Sequence, residues 1–224
     1  MAVERKRVSG ASASVGSEGG CVMPQGGGGE GSGHPTVYII AGPNGSGKTT
    51  FALKFLPEMA GCLAFVNADE IARGLSPLNP PAAAMQATRL FLAEMEQKIR
   101  QREDFAFETT LAGRVYLPKI REWRAQGWRV VLVYLYLPSA EMSLHRVQER
   151  VAQGGHGIPE PEIARRYPRS LRHLFEYMRQ CDRTFCLDNS GIGIRVIFES
   201  CYGGEPEVKD HELYQSLLKE TLDE

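Results

Sequence analysis

A glycine-rich stretch near the start of the chain has the residue types and spacing needed to hold phosphate. Residues 42–49 read GPNGSGKT and fit G-x-x-x-x-G-K-[S/T] at every position. Glycines let the backbone curl so that successive amides converge on phosphate oxygens, and the helix that follows adds its positive dipole end. Lys48 is expected to reach the β- and γ-phosphates, and the Thr49 hydroxyl to ligate Mg²⁺. The predicted nucleotide-binding residues are Gly42, Pro43, Asn44, Gly45, Ser46, Gly47, Lys48, Thr49 and Thr50.

A carboxylate suited to acceptor chemistry follows the second predicted strand, in the segment FVNADE at residues 65–70. The segment resembles a motor-type Walker B motif only loosely, because Asn67 and Ala68 separate the apolar run from Asp69. The sequence also lacks the N-K-x-D guanine motif of GTPases. In small-molecule kinases a carboxylate at this place faces the acceptor hydroxyl. We therefore predict that Asp69 accepts the hydroxyl proton or orients the hydroxyl for in-line attack; the alternative is that Asp69 caps a short helix.

The third predicted strand ends in FETTL, residues 107–111, where polar side chains could meet a substrate. The carboxyl ends of strands in an open α/β sheet face the ligand crevice. We predict that Glu108 and Thr110 hydrogen-bond a polar substrate and that Arg114 pairs with a substrate phosphate. The alternative is an ordinary junction between a strand and a loop.

Two later segments complete the candidate site. Leu187–Ser190 follow the fifth predicted strand and are expected beside the adenine ring, which makes Asn189 a candidate nucleotide contact; a loop cap is the alternative. Residues 154–159, GGHGIP, separate two arginine-bearing helices, as in a lid that closes over the transferring phosphate. Among those arginines we predict that Arg166 and Arg169 neutralise charge on the γ-phosphoryl group; a solvated helix face is the alternative.

These residues require a scaffold in which strands and helices alternate, and the apolar pattern predicts one. Predicted strands cover residues 37–41, 62–66, 105–107, 128–137, 185–187 and 196–198. Predicted helices cover residues 49–56, 85–99, 115–126, 163–178 and 207–222, with one more beginning after Ser139. The alternation predicts a three-layer α/β fold, with a mostly parallel sheet flanked by helices.

The composition of the chain indicates its domain organisation and the kinds of partner it binds. Residues 1–35 hold 10 of the 24 glycines and few large apolar side chains, which predicts a disordered tail before one domain at 36–224, with a lid at about 150–170. The net charge of −1 argues against nucleic-acid and membrane partners. Five cysteines without a C-x-x-C pair indicate reduced thiols, as in a cytoplasmic protein.

Four motifs in order resemble the zeta toxin family of P-loop kinases: GPNGSGKTT, FVNADEIARGLSP, FAFETTLAGR and RVAQGGHGIPEPEIARRYPRSL, over roughly residues 36–191. The resemblance implies an adenylate-kinase-like P-loop NTPase core, ATP with Mg²⁺, Asp69 as proton acceptor and lid arginines on phosphate. Characterised members phosphorylate a sugar hydroxyl of UDP-N-acetylglucosamine and are silenced by a small antitoxin. The implied activity is therefore a kinase with an alcohol group as acceptor.

The sequence departs from the best-known members at two places. Ala112 stands where those members carry an arginine, with Arg114 two residues later, and His156 lies near where they carry a lid arginine. Both differences concern the acceptor more than ATP. A nucleoside, a dinucleotide or an antibiotic therefore stays open as the acceptor, beside a UDP-N-acetyl sugar. A regulatory module that binds nucleotide without transferring phosphate is the alternative from another class.

Overall fold

The apolar runs of the chain form the strands of one sheet. The computed structural model describes residues 33–155 and 157–222, so that most of the predicted tail and His156 lie outside the described residues. The strands are β1 (Thr36–Ala41), β2 (Phe65–Val66), β3 (Phe105–Thr109), β4 (Arg129–Tyr136), β5 (Arg183–Asp188), β6 (Arg195–Cys201) and β7 (Glu207–Val208). Their order is β2-β3-β1-β4-β5-β6-β7. The first five strands are parallel, and β6 and β7 add to the edge in antiparallel orientation.

Helices follow most of the strands. They are α1 (Lys48–Phe55), α2 (Ala68–Leu75), α3 (Ala84–Gln101), α4 (Tyr116–Ala125), α5 (Ala140–Ala152), α6 (Glu160–Met178) and α7 (His211–Leu222). A π-helical turn (Leu56–Ala60) extends α1, and a 3-10 turn (Pro80–Ala83) leads into α3. Within the described residues, no helix combines the length and the apolar character needed to cross a bilayer.

Alternate residues of β1 show why the domain has three layers. Val37 and Ile39 belong to a core shared with apolar residues of α3, α4, α6 and α7. Tyr38 and Ile40 belong to a second core, which includes Ala52 and other residues of α1. Since successive side chains of a strand point to opposite faces, the fully buried β1 carries helices on both sides.

Apart from shifts of the strand ends, the observed elements differ from the predicted ones most clearly at three places. The second strand is only Phe65–Val66, because the amide of Cys62 donates to the carbonyl of Leu56 and still belongs to the preceding helical turn. The last helix begins at His211 rather than at residue 207, since Glu207–Val208 pair with β6 and Asp210 accepts from the amide of Leu213. α6 begins at residue 160 and continues through Pro168.

The aromatic cluster beneath β3 holds the strand that carries Glu108, and it predicts a large stability effect. Phe105 is fully buried, with its ring centroid 6.2 Å from that of Trp123 and 5.8 Å from that of Trp128. We expect Phe105→Ala to lower the free energy of unfolding by about 3–5 kcal/mol in urea denaturation, because it leaves a cavity. Leu63→Ala, at an 83% exposed side chain, is the control and should change little. Equal losses for both variants would contradict this packing.

Candidate active site

The phosphate loop connects β1 to α1 and uses its glycines where other residues do not fit. Gly42, Gly45 and Gly47 have φ angles of 142°, 73° and 81°, which L side chains rarely adopt. A Cβ at Gly42 would also lie 2.3 Å from the carbonyl oxygen of Leu135. α1 has no side-chain cap and no acidic residue in its first turn. Its first amides and its dipole therefore suit an anion at the loop.

Lys48 is folded back over this loop. Its side chain is only 6% exposed, and Nζ donates to the carbonyl of Pro43 at 2.8 Å. Burial lowers the pKa of Lys48, while the negative charges of Glu108 and Asp69 act in the opposite direction. A buried ammonium with one backbone acceptor has donors left for phosphate oxygens. Thr50, also in the first turn of α1, is exposed.

Glu108 joins the ends of three neighbouring strands. Its Oε2 accepts from the Thr49 hydroxyl at 2.6 Å and from the Asn67 amide at 2.9 Å, and its Oε1 lies 3.9 Å from Lys48 Nζ. This proximity follows from the sheet order, since β3 lies beside β1 with Glu108 in register with Ile40. The predicted contact of Glu108 with substrate stays a prediction; its contacts within the protein place its carboxylate beside the phosphate loop and α1.

α2 presents Asp69 to the cleft. Asn67 is the N-cap of this helix, because its Oδ1 accepts from the amides of Asp69 and Glu70 at 2.9 and 3.3 Å. The alternative in which Asp69 caps the helix is therefore wrong. In the described part of the chain, the Asp69 carboxylate has no hydrogen bond or ion pair of its own. It lines the cleft and is one of the two negative charges that act on Lys48.

The cleft has a volume of about 630 Å³ and is bounded by the phosphate loop, α2, the 3-10 turn, the end of β3 and the lid segment. Its lining residues are Asn44, Gly45, Lys48, Thr49, Asn67, Ala68, Asp69, Glu70, Ala72, Arg73, Pro80, Pro81, Ala84, Glu108, Thr109, Thr110, Arg150, Gly157, Ile158, Pro159, Glu162 and Arg166. Positive and negative groups are mixed over its walls. Such a surface suits a charged or hydroxylated ligand better than an apolar one.

The two predicted lid arginines have different places. Arg166 lines the cleft and donates to Glu162 at 2.5 Å, whereas Arg169 is exposed and is not among the lining residues. Arg150, which was not selected from the sequence, also lines the cleft. The positive charges of Arg150 and Arg166 both act to lower the pKa of Lys48, so both guanidinium groups lie near its ammonium.

Two other predicted residues have partners within the protein. Arg114 makes two hydrogen bonds to Glu176, at 2.8 and 2.6 Å, on an exposed surface outside the cleft. Its predicted contact with a substrate phosphate has no support in this arrangement, although Thr110 does line the cleft. The Asn189 side chain donates to the Ser46 carbonyl at 2.8 Å, so it contacts the phosphate loop itself.

Sequence reasoning missed several residues of the cleft. Arg73 follows Asp69 by four positions on α2 and pairs with Glu70 at 3.0 Å. The helical spacing of Asp69 and Arg73 was the available signal, since residues four apart share a helix face. Glu162 had no such signal, because its importance comes from its contact with Arg166.

The sequence that forms this site matches a known protein family. The sequence model of the family described as Zeta toxin matches residues 29–191, which is most of the chain. The chain belongs to the zeta toxin family. A curated relative from Haemophilus influenzae, described as an uncharacterized protein, is 32% identical over 131 residues, which are 58% of this chain and 91% of the relative.

Solved structures with a similar fold include one two-protein complex and a chain from a toxin-antitoxin system. A chain of the AvrRxo1-ORF1:AvrRxo1-ORF2 complex with sulphate ions has a TM-score of 0.68 at 18% identity and covers 86% of this chain. The same complex with ATP gives 0.66 at 19% identity and 85% coverage. Our chain spans 66% and 65% of those chains, just under two thirds of their length. A chain from the PezAT toxin-antitoxin system of Streptococcus pneumoniae gives 0.56 at 15% identity, covering 86% of our chain and 88% of its own.

These likenesses confirm the predicted three-layer P-loop fold and the family resemblance. At such low identity, the solved structures support the fold alone. Conclusions about the activity, and about the residues responsible for it, must therefore be drawn from the site of this zeta toxin family member.

The geometry of Lys48 gives a direct binding prediction. We expect Lys48→Ala to weaken ATP binding roughly 10–100-fold in isothermal titration, because a charge-assisted contact to phosphate is lost. Lys54→Ala is the matched control, since Lys54 lies on the same helix and is exposed. Unchanged affinity in the Lys48 variant would overturn the assignment of the phosphate loop.

Proposed function

We propose that this protein is an ATP-dependent kinase that transfers the γ-phosphate to a hydroxyl group of a small acceptor. The observation that carries the proposal is that one cleft is lined by both Lys48 and Asp69. Lys48 belongs to the nucleotide-binding loop, whereas Asp69 belongs to a different wall, at the start of α2. A kinase needs a phosphate-binding charge and a carboxylate for the acceptor on two sides of the transferring group.

ATP with Mg²⁺ fits the donor set on the nucleotide side. A hydroxyl and a carboxylate, from Thr49 and Glu108, are the hard oxygen ligands that Mg²⁺ prefers, and they lie within 2.6 Å of each other. Among residues 33–155 and 157–222, no cluster of three or more Cys, His, Asp or Glu side chains could hold a metal ion alone. We propose that Thr49 and Glu108 hold Mg²⁺, directly or through water, while nucleotide phosphates supply the other ligands. When bound, Mg²⁺ neutralises charge on the phosphates.

The transfer step follows from the roles of three side chains. The acceptor oxygen forms a bond to the γ-phosphorus as the bond from that phosphorus to the β,γ-bridging oxygen breaks, and ADP leaves. Asp69 accepts the proton of the acceptor hydroxyl, so that the products are ADP and a phosphomonoester. Lys48 and Arg166 donate to the phosphoryl oxygens, where charge spreads in the transition state. Arg166 must exchange its contact with Glu162 for one with the phosphate.

For the acceptor we propose a UDP-N-acetyl sugar, on the strength of the family resemblance. The lining of the cleft also includes the guanidinium of Arg73 and the apolar rings of Pro80 and Pro81. These groups suit a ligand that carries both an anionic group and a ring. A dinucleotide shares that chemistry, whereas a nucleoside offers the ring without the anionic group; both are competing acceptors within the same proposal.

A small antitoxin is the proposed protein partner. The support is family membership, together with the likeness in fold to a chain of the PezAT toxin-antitoxin system. A nucleotide-binding module without transfer is the alternative from another class. The residues Lys48, Thr49 and Asp69 favour the kinase, because a module that only binds nucleotide has no need of a carboxylate for an acceptor.

Asp69→Asn tests the kinase step. We expect phosphate transfer from ATP into a metabolite extract to fall roughly 10²–10⁴-fold, while ATP affinity stays nearly unchanged, because a general base acts on the acceptor. Glu96→Gln removes a carboxylate that is 64% exposed on α3 and is the control. If ATP affinity fell as much as transfer, Asp69 would belong to the Mg²⁺ site instead.

Arg166→Ala tests the role of the lid. We expect the turnover number to fall roughly 10²–10³-fold with little change in ATP dissociation constant, since the guanidinium acts mainly in the transition state. Arg165→Ala is a matched control, because Arg165 contacts the same Glu162 at 3.6 Å but does not line the cleft. A comparable loss in Arg169→Ala would support the prediction that Arg166 and Arg169 act together on the phosphate. Equal activity of all these variants would mean that this face of the helix is only solvated.

A further inference from the structure

A phosphate loop binds anions only if its backbone keeps one orientation. When successive amides converge on a ligand, the carbonyls of the same loop point outward into the protein and need donors there. Three outward carbonyls of this loop have donors. Pro43 accepts from Lys48 at 2.8 Å, Asn44 accepts from the Ser143 hydroxyl at 2.6 Å, and Ser46 accepts from the Asn189 amide at 2.8 Å.

Ser143 contacts the loop from α5. Its side chain is fully buried, and it is separated from Asn44 by 99 positions in the sequence. The backbones of α5 and the loop are in close contact here. A Cβ added at Gly45 would lie 2.8 Å from the Ser143 carbonyl oxygen and 3.1 Å from Cβ of Arg146. The hydroxyl of Ser143 is therefore held against the loop with no room for another side chain.

Asn189 contacts the loop from the turn between β5 and β6. A Cβ at Gly47 would lie 2.8 Å from the Asn189 amide nitrogen. The turn is fixed by Arg146, whose two terminal nitrogens donate to the carbonyls of Asn189 and Ser190 at 2.7 and 2.8 Å. Arg146 follows Ser143 by one helical turn, so α5 supports both contacts to the loop.

We propose that Ser143 and Asn189 are positioning residues that hold the phosphate loop in its anion-binding conformation before nucleotide arrives. The inference rests on the proposed binding of ATP at this loop. Without a donor, the carbonyl of Asn44 or Ser46 is free to turn toward the anion site, and the loop populates conformations that do not bind. The apparent dissociation constant then rises in proportion to the loss of the competent fraction. Neither residue needs to touch the nucleotide.

The matched pair Ser143→Ala and Ser139→Ala tests this proposal. Both serines belong to the start of α5, but Ser139 is its N-cap and accepts from the Met142 amide at 3.1 Å, without a contact to the loop. We expect Ser143→Ala to raise the dissociation constants of ATP and of inorganic tripolyphosphate by roughly 3–10-fold in calorimetry. A change of this size corresponds to the loss of one hydrogen bond. Ser139→Ala should lower the melting temperature and leave both constants unchanged.

Two further variants show whether the lost affinity comes from the lost donor to the loop rather than from lost packing. Asn189→Ala removes the donor on the other side of the loop, and it should weaken the binding of both ligands in the same way. Ser143→Cys keeps the side-chain volume nearly constant but offers a weak donor, so it should resemble Ser143→Ala. Failure of the wild-type protein to bind ATP would contradict the proposed function. Wild-type binding with equal affinities in the Ser143, Asn189 and Ser139 variants would overturn this inference alone.

Discussion

The Glu108 carboxylate is the point on which the rest of the site depends. It lies in β3, accepts from Thr49 and Asn67 and lies beside Lys48, so it fixes residues that follow the two adjacent strands β1 and β2. A carboxylate that is only 14% exposed is stable when it has such partners. Because Asn67 in turn caps α2, the same contacts set the start of the helix that carries Asp69. One buried charge thereby links the nucleotide side of the cleft to the acceptor side.

The charges around Lys48 are arranged for the arrival of an anion. Burial lowers the pKa of Lys48, the carboxylates of Glu108 and Asp69 act in the opposite direction, and the charges of Arg150 and Arg166 make smaller contributions that lower it. A triphosphate would reverse this effect, because negative charge favours the protonated ammonium. Arg166 is paired with Glu162 where it lines the cleft.

The strand, glycine loop and helix around the phosphate loop could be predicted from the sequence, because eight consecutive residues specify that backbone. The contacts of Glu108 with Thr49 and Asn67 could not, since they depend on β3 lying between β2 and β1. Helical spacing alone could not separate Arg166 from Arg169. The Asn67 cap depends on which residue turns its side chain back to the helix amides, and Asp69 was an equally good candidate by type.

The most direct test of the account follows the γ-phosphate itself. The wild-type protein is incubated with Mg²⁺, ATP labelled in its γ-phosphate and a cellular metabolite extract, and the labelled products are identified by mass spectrometry. The account predicts that label appears in an organic phosphomonoester formed at an alcohol oxygen and that the Lys48→Ala protein forms none. Label found only in ATP and inorganic phosphate would contradict the central claim that the cleft transfers phosphate to an acceptor.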